Sequence, residues 1–125
     1  MEISEKELAR LTAQKKMYSL LGLAQKAGAL ASGEFMTEKA VKEGRARLVL
    51  VAEDASENTK KMFRNMCEYY RVDFRCFSDK ETLGHRIGKE FRASLAVKDE
   101  GFAEAVKKQL DALDGNSGAK TEKSL

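Results

Sequence analysis

Ser32-Gly-Glu-Phe-Met-Thr-Glu-Lys-Ala-Val-Lys-Glu-Gly44-Arg-Ala-Arg-Leu48-Val-Leu-Val-Ala52-Glu-Asp-Ala-Ser56-Glu-Asn58 is the stretch on which the reading of the fold turns. Gly33 is placed to open a short helix. Gly44 is placed to close it, in the left-handed conformation that glycine adopts without steric cost. The run Leu48–Ala52 is continuously apolar and rich in Val and Leu, the pattern of a central strand buried on both faces. Glu53 and Asp54 stop that strand, and Asp54 or Ser56 offers a side-chain oxygen to cap the next helix. Two helix starts and a buried strand thus fall close together. In open α/β sheets, ligands collect where strand C-ends face helix N-termini. Binding residues are expected there.

Upstream, Leu8, Leu11, Tyr18 and Leu21, with Leu20, Leu23, Ala24 and Ala27, recur at helical spacing. They predict a helix over Leu8–Ala27, after a frayed polar start at residues 1–7 and ending at Gly28. Leu30-Ala31 forms a short strand leading to Gly33. The second helix covers about Glu34–Glu43, with Met36 and Ala40 inward and Lys39 and Lys42 exposed.

Downstream, Thr59, Met62, Phe63, Met66, Cys67 and Tyr70 step by three and four, so a third helix turns Lys60, Lys61 and Arg64 outward. Phe74–Phe77 reads as a strand. Ser78-Asp-Lys-Glu81 has the form of a capping box that starts a short helix through Ile87. Leu95–Val97 is the last strand, and Asp99 caps a last helix with Phe102, Val106, Leu110 and Leu113 inward. Strands and helices alternate throughout, which predicts a three-layer α/β/α sandwich around about four strands. The domain is expected to fill residues 1–114. Residues 115–125, opening Gly115-Asn-Ser-Gly118, have nothing to bury and read as a flexible tail.

Composition narrows the function. A chain of 125 residues makes one domain with a real core. Cys67 and Cys76 form no CxxC and His85 is the only histidine, so neither a zinc site nor a disulfide framework is implied. Cys67, on an apolar helix face, reads as a buried reduced thiol. No nucleophile–base pair, GxxxxGK or GxGxxG is present, so no enzyme, metal or cofactor is expected. No apolar run is long enough for a bilayer, which points to a cytoplasmic protein without a membrane partner. The net charge of +3 comes from 23 basic and 20 acidic residues. It suits a nucleic-acid partner only where those charges are unevenly placed.

Two further features stand out. Gly84 and Gly88 lie four apart on the short helix, where they permit a close backbone approach from sheet or ligand, or serve packing and a C-cap. The loop Lys89-Glu-Phe-Arg92 puts one aromatic between cations. It either clamps phosphate and stacks on a base or is a solvated loop with its phenylalanine folded inward.

Several of these segments resemble one family. Gly33–Lys39, Leu48-Val-Leu-Val-Ala-Glu-Asp-Ala55, Leu83-Gly-x-x-x-Gly88 and Val97-Lys-Asp are similar to the kink-turn RNA-binding ribosomal protein family of the L-seven-Ae/L-thirty-e type. Leu-Gly-Leu-Ala-Gln-Lys-Ala-Gly28, Asn58-Thr-Lys-Lys and Gly88-Lys-Glu-Phe-Arg resemble its bacterial YlxQ-like branch. The resemblance implies a monomeric α/β/α sandwich that binds structured, bent RNA without chemistry, with ribosomal RNA and ribosome or translation-factor proteins as partners.

The family motif that reads sheared G·A pairs runs Gly-x-Asn-Glu-x-x-Lys. Gly33 and Lys39 match its ends, whereas Phe35 and Met36 replace the Asn and Glu, and Glu34 lies between Gly33 and Phe35. Ser56, Lys80 and the loop Lys89–Arg92 match other family contacts. The implied RNA-binding set is Gly33, Glu34, Lys39, Lys42, Ser56, Lys80, Lys89, Phe91 and Arg92. The alternative is a protein-interaction module on the same fold whose RNA site has decayed, with Phe35 and Met36 as an exposed apolar anchor.

Overall fold

In the computed structural model, which describes residues 2–114, the run Leu48–Val51 is an interior strand of one four-stranded sheet. In chain order the strands are β1 (Leu30–Ser32), β2 (Leu48–Val51), β3 (Asp73–Cys76) and β4 (Ser94–Val97), and the sheet order is β1-β4-β2-β3. β2 runs parallel to β3 and antiparallel to β4, and β1 is antiparallel to β4. The helices are α1 (Glu5–Lys26), α2 (Glu34–Lys42), α3 (Glu57–Tyr70), α4 (Lys80–Arg86) and α5 (Glu100–Asp114).

The strand period of two divides β2 between two cores. Leu48 and Leu50 join Met17 and Leu21 of α1, Leu83 of α4 and Val106 of α5. Val49 and Val51 join Val41 of α2 with Phe63 and Cys67 of α3. Three helices therefore cover one face and two cover the other, giving the three-layer sandwich. Burial pushes the Cys67 thiol up to about 12. The expected tail at 115–125 lies outside the described residues.

Several local expectations are corrected. α1 begins at Glu5, because Ser4 accepts a hydrogen bond from the Glu7 amide at 3.0 Å and so caps the segment expected to fray. Its buried face is Ala13, Met17, Leu21 and Ala24, while Leu8, Leu11 and Leu23 stay exposed. α1 lies along α5, and the small Ala13 and Ala24 side chains suit that contact better than leucines.

Met36 is exposed as well, since α2 buries Thr37, Ala40 and Val41. A threonine takes the core position because its hydroxyl is used twice. It donates to the Ala31 carbonyl at 3.5 Å and accepts from Ser94 at 3.2 Å. On α3, Tyr70 is exposed rather than inward, and Lys60 is half-buried rather than outward. α4 is capped by Asp79 and not by Ser78. Ser78 takes φ 67° and its hydroxyl meets the Tyr18 hydroxyl at 2.8 Å, which leaves the capping to the next residue.

Candidate nucleic-acid interface

The sheet register gathers one set of segments at a single end. Ser32 pairs with Leu95, and Val51 lies between Ser94 and Cys76, so β1, β2 and β3 finish where β4 begins. α2, α3 and α4 start just beyond those strand ends. Because β4 is antiparallel, the loop that precedes it, residues 88–93, arrives at the same end. That brings the Lys89–Arg92 loop beside Gly33, although the two are far apart in sequence.

Hydrogen bonds tie the segments together. The Gly33 amide donates to the Ser94 carbonyl at 2.9 Å, and the Ala52 amide to the Ala93 carbonyl at 2.8 Å. The Arg92 amide donates to the Lys80 carbonyl at 3.0 Å, and the Glu53 amide to the Ser78 carbonyl at 2.8 Å. Asp54 accepts from the Lys80 amide at 2.9 Å. Of the two acids expected to stop β2, Asp54 thus holds the start of α4, and Ser56 caps α3 by accepting from the Thr59 amide at 3.1 Å. Asp79 accepts from the amide and the hydroxyl of Thr82, which hold its carboxyl below the ordinary carboxylate range.

Gly33 is the N-cap of α2 at φ 93°, ψ 159°. Arg92 reaches across to it, its Nε donating to the Ser32 hydroxyl at 3.0 Å and its Nη1 to the Phe91 carbonyl at 2.8 Å. Gly84 explains how the loop is held. A Cβ there would lie 1.2 Å from the Glu90 carbonyl oxygen, so the loop backbone rests directly on α4. The Gly84 carbonyl accepts from the Lys89 amide at 2.7 Å. The close approach expected at Gly84 is thus made by the chain's own loop.

Gly33, Glu34, Lys80, Lys89, Phe91 and Arg92 therefore share this end, with Ser56 at the start of α3 beside it. Lys39 is exposed one to two turns into α2, and its Cα–Cβ bond tilts back toward Gly33 as in any α-helix. Lys42 stands apart in the last turn of α2. There it pairs with Glu38 at 2.7 Å, a hydrogen bond that holds its ammonium above the ordinary lysine value. Phe91 is 66% exposed, so the loop does not fold its phenylalanine inward, and Phe35 is 73% exposed. The sequence reading left out of this site the backbone bridges at Ala52, Ala93 and Ser94, for which pairing order, not residue type, is the signal.

Ion pairs engage only some of the cations, and Glu34, Glu53, Asp54, Asp79, Glu81 and Glu90 share this end with the basic residues. Lys42, Arg45, Arg47, Lys60, Arg75 and Lys107 each form an ion pair with an acid. Among the described residues, Lys39, Lys80, Lys89 and Arg92 form none. No cluster of His, Cys, Asp or Glu suited to a metal occurs among the described residues, and no helix there is long and apolar enough to cross a membrane.

Comparison with known proteins follows the same lines. A family model described as the Ribosomal protein L7Ae/L30e/S12e/Gadd45 family matches residues 15–107. The RNA-binding protein YlxQ of Bacillus subtilis (strain 168) is 44% identical over 94 residues, covering 75% of this chain and 94% of that protein. YlxQ of Enterococcus faecium is 39% identical over 99 residues, covering 78% of this chain and 94% of that one. A solved structure of a protein of unknown function from Bacillus halodurans aligns with TM-score 0.74 and 38% identity, over 77% of this chain and 97% of that one. A Giardia lamblia 15.5 kD RNA-binding protein has the same fold at TM-score 0.65, with 18% identity over 92% of each chain.

Proposed function

The chain belongs to the ribosomal protein L7Ae/L30e/S12e/Gadd45 family, and on that footing we propose that it is a non-catalytic RNA-binding protein of the ribosomal or translation apparatus. The observation that carries this reading is that the fold brings Lys39, Lys80, Lys89 and Arg92, from three separate segments and none of them in an ion pair among the described residues, to the Gly33 end of the sheet. A polyanion gains most where cations need not first leave an acid. Named relatives at 44% and 39% identity are RNA-binding proteins, in agreement with it.

Its ligand is structured RNA, kinked or otherwise bent, held through phosphate by these cations and through close backbone approach at Gly33. Phe35 and Met36 carry no hydrogen-bonding group for a base edge, so each forgoes discrimination of about 1–3 kcal/mol that a bidentate contact supplies. Kink-turn recognition through sheared G·A pairs is accordingly weakened in this chain.

Titration of a structured RNA across a salt series tests the proposal. Each phosphate contact removed should lower the slope of log affinity against log salt by about 0.7–0.9. Lys39→Ala with Lys89→Ala should flatten the slope and weaken binding to many RNAs alike. The control pair Lys26→Ala and Lys108→Ala, exposed on α1 and α5, should change neither. Equal effects of the two pairs would move the site elsewhere. No effect of either, with no RNA bound, would favour a protein-interaction module, the second reading that the exposed Phe35 supports.

A further inference from the structure

Among the described residues every exposed leucine or isoleucine, Ile3, Leu8, Leu11 and Leu23, lies on α1 or just before it. The inner side of α1 is filled by Met17 and Leu21, packed on the sheet. On its outer side α1 and α5 enclose a groove made of two hollows of about 420 and 360 Å³. Leu8 and Ala112 line the first, Leu20, Leu23 and Ala105 line the second, and Lys16 and Gln109 border both. The helices are therefore antiparallel and the hollows lie end to end, as the hydrogen bond from Arg10 Nη1 to the Leu113 carbonyl at 3.2 Å also requires. From Leu8 to Leu23 the groove follows about 22 Å of helix.

Its ends are apolar and its middle is charged. Leu8 and Leu23 are each 56% exposed, so each end leaves a leucine in water. Lys16 and Lys108 stand between them, both exposed and neither in an ion pair among the described residues. The acids of α5 nearest Lys108 in sequence are engaged elsewhere. Glu104 meets Lys107 at 3.0 Å and Asp111 meets Arg75 of β3 at 3.2 Å. Glu5, the acid of the lining, belongs to the first turn of α1, beyond Leu8.

From this arrangement we propose that the α1/α5 groove docks an amphipathic helix of a protein partner, with apolar side chains at both ends of its stripe and carboxylates at the middle. Such a helix lays its stripe along the groove and anchors a side chain in each hollow. Carboxylates opposite Lys16 and Lys108 fix its register and reject helices of the wrong charge. A second copy of this chain is a poorer occupant, because a two-fold pairing centred on the groove sets Lys16 and Lys108 against their own counterparts. The chain's own residues 115–125 bring one leucine, and two lysines against one glutamate, which neither fills nor neutralises the groove. RNA phosphate suits the lysines but not the leucines on either side of them. None of these lining residues is in the RNA-binding set, so the protein can hold partner and RNA together.

Three fluorescent helical peptides of about 18 residues, long enough to span the groove, test the proposal. All carry leucines at both ends of one face, and they differ only in two residues at its middle, which are Glu, Gln or Lys. Anisotropy titration of the wild-type protein should rank Glu above Gln above Lys, with about tenfold or more between the first and the last. Leu8→Ser and Leu23→Ser should each weaken the Glu peptide about fivefold or more. Lys16→Glu combined with Lys108→Glu should invert the ranking, so that the Lys peptide binds best. Saturation with the Glu peptide should leave the RNA titration unchanged.

The charge-swapped pair changes two exposed side chains and decides the matter even where a leucine variant melts early. The docking site is overturned if the wild-type protein binds none of the peptides, if the middle residues make no difference, or if the swapped protein keeps the wild-type ranking. Sedimentation showing a dimer that Leu23→Ser dissolves would place a second copy in the groove and overturn it as well. Displacement of RNA by the Glu peptide would assign the groove to the RNA surface instead. RNA binding itself is read from the salt series without peptide, so the failure of either proposal is seen separately from the other.

Discussion

Gly33 and Gly84 constrain the same end of the sheet for different physical reasons. Gly33 has φ 93° and ψ 159°, a region essentially closed to side chains, although a Cβ there would find its nearest neighbour, Arg92 Nε, 4.0 Å away. Gly84 has helical backbone and no room, with the Glu90 carbonyl oxygen 1.2 Å from where a Cβ would lie. Gly33→Ala should therefore cost about 1–3 kcal/mol through backbone strain. Gly84→Ala should cost about 1–3 kcal/mol through overlap. It should also weaken RNA binding, because the displaced loop carries Lys89, Phe91 and Arg92. Chemical denaturation and the RNA titration measure the two effects. A Gly84→Ala protein that unfolds and binds as the wild type does would mean that the loop yields freely. The role of Gly33 was legible in the sequence as a glycine opening a helix. The partner of Gly84 was not, because a loop folding back on its own helix leaves no periodic trace. Met36 was misassigned because polarity was read without the Ala31 and Ser94 partners that let Thr37 take the buried position.

At the scale of elements, helical spacing located α1, α3 and α5, the flanking glycines located α2 and the capping-box pattern located α4, while short apolar or alternating stretches located the strands, to within a turn at the ends. Sheet order was not legible. Alternating strands and helices suggest parallel pairing, yet β4 enters antiparallel between β1 and β2. That single insertion is what delivers the Lys89–Arg92 loop to the site. The opposite edge strand, β3, is held by α5. Arg75 meets Asp111 at 3.2 Å, and Lys107, hydrogen-bonded to Asp73, is held above the ordinary lysine value. These ion pairs tether the edge strand to α5 through its side chains. The Arg75 side chain is only 12% exposed and its Nε has no partner among the described residues, so Asp111 is its main support. Asp111→Ala should cost roughly 1–3 kcal/mol, the range for hydrogen bonds to charged groups left unmade. Denaturant midpoints should fall while affinity for RNA holds, since the pair lies on the opposite edge of the sheet from Gly33. Loss of RNA binding at unchanged stability would reverse that assignment.

For the whole molecule, a net charge of +3 says nothing of where the ion pairs fall. Most of the acids that form ion pairs do so away from the Gly33 end, and this arrangement could not be read from composition. Stability has a comparable division, because β2 is shared by two cores. Leu48 and Leu50 serve one and Val49 and Val51 the other, all fully buried. This much the apolar run did announce, since only a strand covered on both faces needs four consecutive apolar residues. A charge at Val49 meets Phe63 and Cys67, and the buried hydroxyls of Thr37 and Ser94 are already committed to each other and to the Ala31 carbonyl. Burying an unpaired carboxyl costs several kcal/mol, comparable with a typical total stability of about 5–15 kcal/mol. Val49→Asp should thus abolish the cooperative thermal transition seen by circular dichroism. Leu8→Asp makes the same chemical change at a side chain that is 56% exposed, and should shift stability by no more than about 0.5 kcal/mol. A Val49→Asp protein that melts with the wild type would show that the core under α2 and α3 does not hold the sheet together.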